Sequence, residues 1–172
     1  MLRKLGLTAL DDASDRALTE ALPAALAEAE ADMTIFFRQL SYLPPALLAA
    51  DAPEDELFGE LLAQAAYTNA PGADLGLREW LHRYALRLRQ ELASPNAIRE
   101  SMLGANTKYV LRNYLAQQAI EAAETGDLTK LDTLFEVLKT PFAEHPAHEE
   151  LAAKRPEWAQ DKPGCATLSC SS

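Results

Sequence analysis

The sequence predicts an all-α chain. Alanine and leucine dominate its 172 residues, aromatic residues contribute only 7%, and the few β-branched residues never alternate with polar ones as a half-buried strand requires. With 48% of its residues apolar, the chain has enough material for the buried core of one ordinary domain.

Leu2, Leu5 and Leu7 around Gly6 read as the tail of a helix whose beginning lies outside the chain, because seven residues cannot bury a face alone. Asp11-Asp12-Ala13-Ser14 supplies an N-cap for a helix carrying Leu18, Leu22, Leu26 and Ala29, which Pro23 is expected to kink or split. Asp32 caps the next helix, Met33 to Tyr42, whose Ile35, Phe36, Phe37 and Leu40 demand burial before Pro44-Pro45 stops it. Asp51 and Pro53 open a helix with Leu57, Phe58, Leu61, Leu62 and Ala65 on one side, ended by the loop Asn69-Ala70-Pro71-Gly72. From Leu77 to Leu92 the apolar stripe is Leu77, Leu81, Tyr84, Leu88 and Leu92, with Trp80 beside it. Arg83 and Arg87 lie outside that stripe. Each has a carboxylate four residues away, Glu79 and Glu91, so they read as a solvated, paired face, with a functional basic face as the alternative.

Ser94-Pro95 combines a cap with a first-turn proline for a short helix ending near Gly104. Asn106 is then expected to cap the longest helix, in which Tyr109, Leu111, Tyr114, Leu115, Ala119 and Ile120 spread apolar groups most of the way round. Gly126 ends it. Thr129 opens a further helix with Asp132 as a capping-box-like partner and an inner stripe of Leu131, Leu134, Phe135 and Leu138, and Pro141 stops it. Residues 1–140 thus read as a helical region. Residues 141–172, rich in Pro, Glu, Ala and His, read as an irregular, mobile tail with one short turn at Pro156-Glu157-Trp158 and with Cys165 and Cys170 near its end.

A net charge of -10 argues against a nucleic-acid partner and against an anionic membrane surface, since phosphate binding needs clustered Lys and Arg. No apolar run approaches the roughly 20 residues of a spanning helix, and no signal-peptide segment follows Met1-Leu2-Arg3-Lys4, so a cytoplasmic location is expected. The glycines assemble no Walker, dinucleotide or kinase-type loop, and His-Arg-Asp and Asp-Phe-Gly runs are absent from the sequence. Ser101 lacks the glycines of a nucleophile elbow and reads as a surface or packing serine. No catalytic or cofactor-binding residue emerges. His145, His148, Cys165 and Cys170 are four ligands in number, but Pro146 and the irregular gap suit no common zinc site, and no metal ligand is assigned. Two cysteines near one end are not a secreted disulfide framework. Cys170 reads either as a thiol able to reach and exchange with a distant one, or as an incidental exposed thiol.

The run Asn106-Thr107-Lys108-Tyr109-Val110-Leu111-Arg112-Asn113-Tyr114-Leu115-Ala116-Gln117, followed by Ala119-Ile120-Glu121-Ala122-Ala123, resembles the C-terminal signature of the SelO (selenoprotein O, YdiU) family. Further features of that family occur in order: Lys4-Leu5-Gly6-Leu7, Asp32-Met33-Thr34-Ile35-Phe36-Phe37-Arg38, Trp80 to Leu88, Arg155-Pro156-Glu157-Trp158 and Ser169-Cys170-Ser171-Ser172. The resemblance covers nearly the whole chain. It departs from the family pattern at Thr107, where proline is usual, at Met102-Leu103-Gly104-Ala105, which lacks the usual arginine, and at Pro23.

The resemblance implies a complete protein with a protein-kinase-like fold that transfers AMP from ATP, with Mg2+, to Ser, Thr and Tyr hydroxyls of protein substrates. It implies that this chain is the C-terminal helical region packing on that catalytic domain, whose active-site residues lie upstream. ATP and Mg2+ would then belong to the full-length protein and no cofactor to this chain. Its partners would be the catalytic domain, upstream or in trans, and the protein substrates. Only Cys170 is carried over, as a redox-regulatory cysteine that pairs with one in the catalytic domain and is selenocysteine in many eukaryotic members. Two rival readings stand beside this one. The chain could be a stand-alone helical interaction module or truncated, inactive paralogue, or a redox-responsive protein using Cys165 and Cys170 as an internal pair.

Overall fold

A computed structural model describes residues 1–9, 13–68, 70–162 and 165. Among them the regular structure is helical, with no strand and one isolated bridge between Ala31 and Ala66, so the chain is all-α. No helix among these residues is long and apolar enough to cross a membrane. The chain divides into two compact units, Met1–Thr107 and Lys108–Ser172.

The first unit opens with a 3-10 turn, Leu2–Leu5, that stops at Gly6 with φ 68°. A Cβ there would stand 2.6 Å from Ile98 Cγ2 and 2.9 Å from Met102 Sδ, so both the left-handed backbone and the space demand glycine. Gly6→Ala is expected to lower the stability of this unit by about 1–3 kcal/mol, read as a fall in the urea midpoint followed by Trp80 fluorescence.

Helix α1, Ala13–Glu28, runs unbroken through Pro23, contrary to the expected split. Pro23 is exposed, and the burial of Leu18, Leu22, Ala25 and Leu26 on the opposite face, much of it against α5, outweighs the one lost backbone bond. Helix α2, Met33–Leu40, starts as read from the sequence: Asp32 Oδ1 accepts the Ile35 N–H at 3.0 Å. Pro44 does not merely end a helix but begins a short one, α3, Pro44–Leu47. Helix α4, Glu54–Ala65, has three acids in its first turn and no side-chain cap, so Asp51 does not serve as one.

Helix α5, Leu75–Leu88, is the centre of the unit. It ends four residues earlier than the apolar stripe suggests, which leaves Leu92 fully exposed. Trp80, expected beside the stripe, is completely buried: it stacks on Tyr84 at 5.3 Å, meets Phe36 edge-on at 6.1 Å and donates Nε1–H to the Leu18 carbonyl at 2.7 Å. Helix α6, Pro95–Leu103, is capped by Ser94 Oγ, which accepts the Ala97 N–H at 3.3 Å.

The second unit corrects the longest predicted helix. Residues 106–112 are not helical, and α7 spans only Asn113–Glu124. The Lys108 and Tyr109 N–H groups donate instead to the Pro141 carbonyl, at 2.8 and 3.1 Å. The division between units therefore falls inside the stretch that periodicity reads as one helical region to residue 140. Gly126, with φ 87°, turns the chain into α8, Thr129–Lys139. Its N-cap residue is Leu128, which makes no side-chain cap bond, and just before it Asp127 Oδ1 accepts the Thr129 N–H at 2.9 Å, in place of the expected Thr129–Asp132 box. Its buried residues are Leu134 and Val137, while Leu131 and Phe135, expected inside, face solvent. Beyond it lie two 3-10 turns, Pro146–Ala152 and Glu157–Ala159.

Candidate functional site

Segments far apart in the first unit converge on one buried polar node. Asn106, expected to cap a helix, is 1% exposed, and its Nδ2 donates to the Lys4 carbonyl and to Ser41 Oγ, each at 2.9 Å. Its own carbonyl accepts Arg38 Nη1 at 3.1 Å, and Arg38 Nε donates to the Tyr42 hydroxyl at 3.0 Å. Tyr84 OH donates to the Leu5 carbonyl at 3.0 Å. Burial, reinforced by the Glu91 carboxylate, pushes the Tyr84 phenol well above its ordinary range, so it remains a donor. The Lys4 and Leu5 carbonyls are thus held by Asn106 and Tyr84, and Asn106 in turn by Arg38. Asn and Arg in such a node satisfy backbone groups that would otherwise be orphaned in the interior.

A second node corrects the reading of Arg87 as a solvated residue. Its side chain is buried between Asp15 Oδ1 and Glu91 Oε1, each at 2.8 Å, and Nη2 donates to the Ala9 carbonyl at 3.1 Å. Burial opposes the guanidinium charge, but the bonds from Asp15 and Glu91 outweigh it and hold its pKa above the ordinary value. The Arg87–Glu91 spacing was legible on the helix; Asp15, on another helix 72 residues away, was not. Arg83 is exposed, as read.

In the second unit Lys108 Nζ donates to Glu144 and Glu149. Burial would lower its pKa, but those two bonds raise it. His145 places Nε2 3.0 Å from Thr140 Oγ1 and sets its ring edge-on to Tyr109 at 5.2 Å. His148 lies 3.8 Å from a Glu150 carboxylate oxygen, and Ser101 is exposed on α6. A cleft of about 680 Å³ opens between α7, α8 and residues 147–158, with Tyr114, Leu134, Lys154 and Trp158 on its walls.

Cys165 is 3% exposed and belongs to a small core with Tyr114, Leu115, Ala119, Leu134 and Ala159. In that position it lacks the solvent access that thiol exchange needs. Cys170 lies outside the described residues. Among those described, no three His, Cys, Asp or Glu side chains gather where a metal ion could be held.

The family model of protein adenylyltransferase SelO matches residues 1–139. The chain belongs to the SelO family. Protein nucleotidyltransferase YdiU of Nitrosospira multiformis is 44% identical over 189 residues, which cover 98% of this chain and 33% of that protein. The YdiU protein of Xanthomonas campestris pv. campestris is 47% identical over 170 residues, covering 98% and 31%. That of Xanthomonas axonopodis pv. citri is 44% identical over 169 residues, with the same coverage. The chain therefore spans about one third of the length of the curated relatives it matches. Within this SelO chain, the segments of the first unit that carry the family resemblance are those that build the Asn106 node and the Trp80 core.

Proposed function

We propose that this chain is the helical C-terminal part of a SelO-type protein adenylyltransferase, supporting a kinase-like catalytic domain that transfers AMP from ATP to Ser, Thr and Tyr hydroxyls of proteins. The observation that carries this reading is the use to which the resembling residues are put. Arg38, Trp80, Tyr84 and Asn106 hold helices together, with their polar atoms occupied inside the fold. A region built in this way supplies shape and rigidity to a neighbouring site rather than reacting groups. Apolar side chains left uncovered on the second unit, Ile120 on α7 and Leu131 and Phe135 on α8, favour a covering partner, for which the catalytic domain is the natural choice. Cys170 is the regulatory thiol of this reading, pairing with a cysteine outside the chain, and the setting is cytoplasmic.

The test is a chimera in which this chain replaces the matching C-terminal third of the Xanthomonas campestris relative. AMP transfer to a test protein is expected within about tenfold of the parent, a difference of about 1.4 kcal/mol in barrier. A folded chimera that binds ATP but transfers no AMP contradicts the supporting role. In the same chimera, Cys170→Ser is expected to abolish the difference in activity between oxidised and reduced glutathione buffers. Persistence of that difference removes Cys170 from the regulation.

A further inference from the structure

The cleft of about 680 Å³ between α7, α8 and residues 147–158 has no part in the supporting role argued above. Its volume falls within the roughly 300–1,000 Å³ of clefts that take small organic ligands. Tyr114 and Leu134, which belong to the small core of the second unit, line it from α7 and α8, and Leu151 and Trp158 line it from the irregular segment. Trp158 meets Tyr114 edge-on at 6.1 Å yet leaves 48% of its surface exposed, so an aromatic side chain at the cleft keeps area that a further ring can cover.

The charges on the cleft run against those of the chain. The whole sequence has 26 Asp and Glu to 16 Lys and Arg, a net charge of -10, whereas among the described residues that line the cleft Lys130 and Lys154 stand against one carboxylate, Glu150. That carboxylate has an oxygen 3.8 Å from His148 Nδ1. Lys130 is exposed in the first turn of α8, and Lys154 is half-buried on the irregular segment. A purely apolar ligand makes no use of such lysines, and an inorganic anion covers none of the apolar wall. A molecule with both characters uses both.

We propose that this cleft binds a small amphipathic anion, an aromatic body bearing a carboxylate, with the ring among Tyr114, Leu134, Leu151 and Trp158 and the carboxylate drawn to Lys130 and Lys154. Such a ligand touches the helix pair and the irregular segment at once, and so ties one to the other. The site uses this chain's own residues alone and does not depend on the reading of the chain as part of an adenylyltransferase.

The experiment titrates the full chain with naphthylacetate and, separately, with its neutral amide, naphthylacetamide, and follows the backbone amide signals by NMR. Saturable shifts are expected on α7, α8 and residues 147–158, with the carboxylate bound about fivefold more tightly than the amide, a ratio that two partly solvated ammonium groups can supply. Lys130→Gln combined with Lys154→Gln is expected to bring that ratio to about one while the amide binds as before, which also shows that the cleft is intact. Trp158→Ala is expected to weaken both compounds about tenfold. Failure of either compound to saturate at millimolar concentration, or shifts centred outside these residues, overturns the site. Equal binding of acid and amide by the parent, or an unchanged ratio in the lysine variant, overturns the anion.

Discussion

Trp80→Ala is expected to destabilise the first unit by about 3–5 kcal/mol, a large share of the roughly 5–15 kcal/mol that holds a domain folded. Three separate losses combine at this position. The ring is fully buried, so its removal leaves a cavity that α1, α2 and α5, each fixed by other contacts, can close only partly. The stack on Tyr84 and the edge contact with Phe36 go with it. The Leu18 carbonyl, which receives Nε1–H at 2.7 Å, loses that donor. Urea unfolding followed by circular dichroism measures the sum. Trp80→Phe, which keeps most of the volume and deletes the donor, should lose less than half as much. Equal losses in the two variants would show that the hydrogen bond, not the packing, dominates.

Arg87→Met is the second large effect, about 3–5 kcal/mol, because it removes the buried guanidinium that pairs with both Asp15 and Glu91, although Glu91 keeps its bonds from Thr8. Asp15 and Glu91 are then left close together without the charge that reconciles them. The same change also frees the Ala9 carbonyl, so the chain entering α1 loses one of its anchors. Adding Asp15→Asn and Glu91→Gln to Arg87→Met should restore more than half of the loss, since neutral side chains no longer repel. A triple variant as unstable as the single one would mean that packing of the arginine stem, rather than charge, accounts for the cost. Thermal unfolding of the parent, the single and the triple variant at one pH decides between these.

The helices themselves were legible because their apolar residues recur at helical spacing, and two of their starts were legible because Asp32 and Ser94 cap as their chemistry suggests. The errors share one cause, a partner distant in sequence. Asn106 is an apt N-cap by type, but its amide is drawn to the Lys4 carbonyl 102 residues away, and the helix begins seven residues later at Asn113. Arg87 has a proper i,i+4 carboxylate, and only the approach of α1 adds Asp15 and closes off solvent. On α8, periodicity offers Leu131, Leu134, Phe135 and Leu138, yet among the described residues of its unit the α-helix packed alongside is α7, so the buried face is narrow and falls on Leu134 and Val137. Pro23 does not interrupt α1, since a proline on an exposed helix face costs one hydrogen bond while its neighbours bury a full stripe. The family was legible from short runs, and the structure adds why those runs in the first unit take the form they do: they meet in space. Cys170 was legible only through the resemblance, and its position lies outside the described residues. Cys165, its near neighbour in sequence, is a core residue, which the small-residue setting of the chain end gave no reason to expect.

The proposed supporting role predicts that the chain alone transfers no AMP. The direct measurement is incorporation of labelled AMP when the purified chain is incubated with labelled ATP, Mg2+ and an acceptor protein. No label above the chain-free control is predicted, with or without reductant. Label that scales with the amount of chain and persists through repurification would contradict the account.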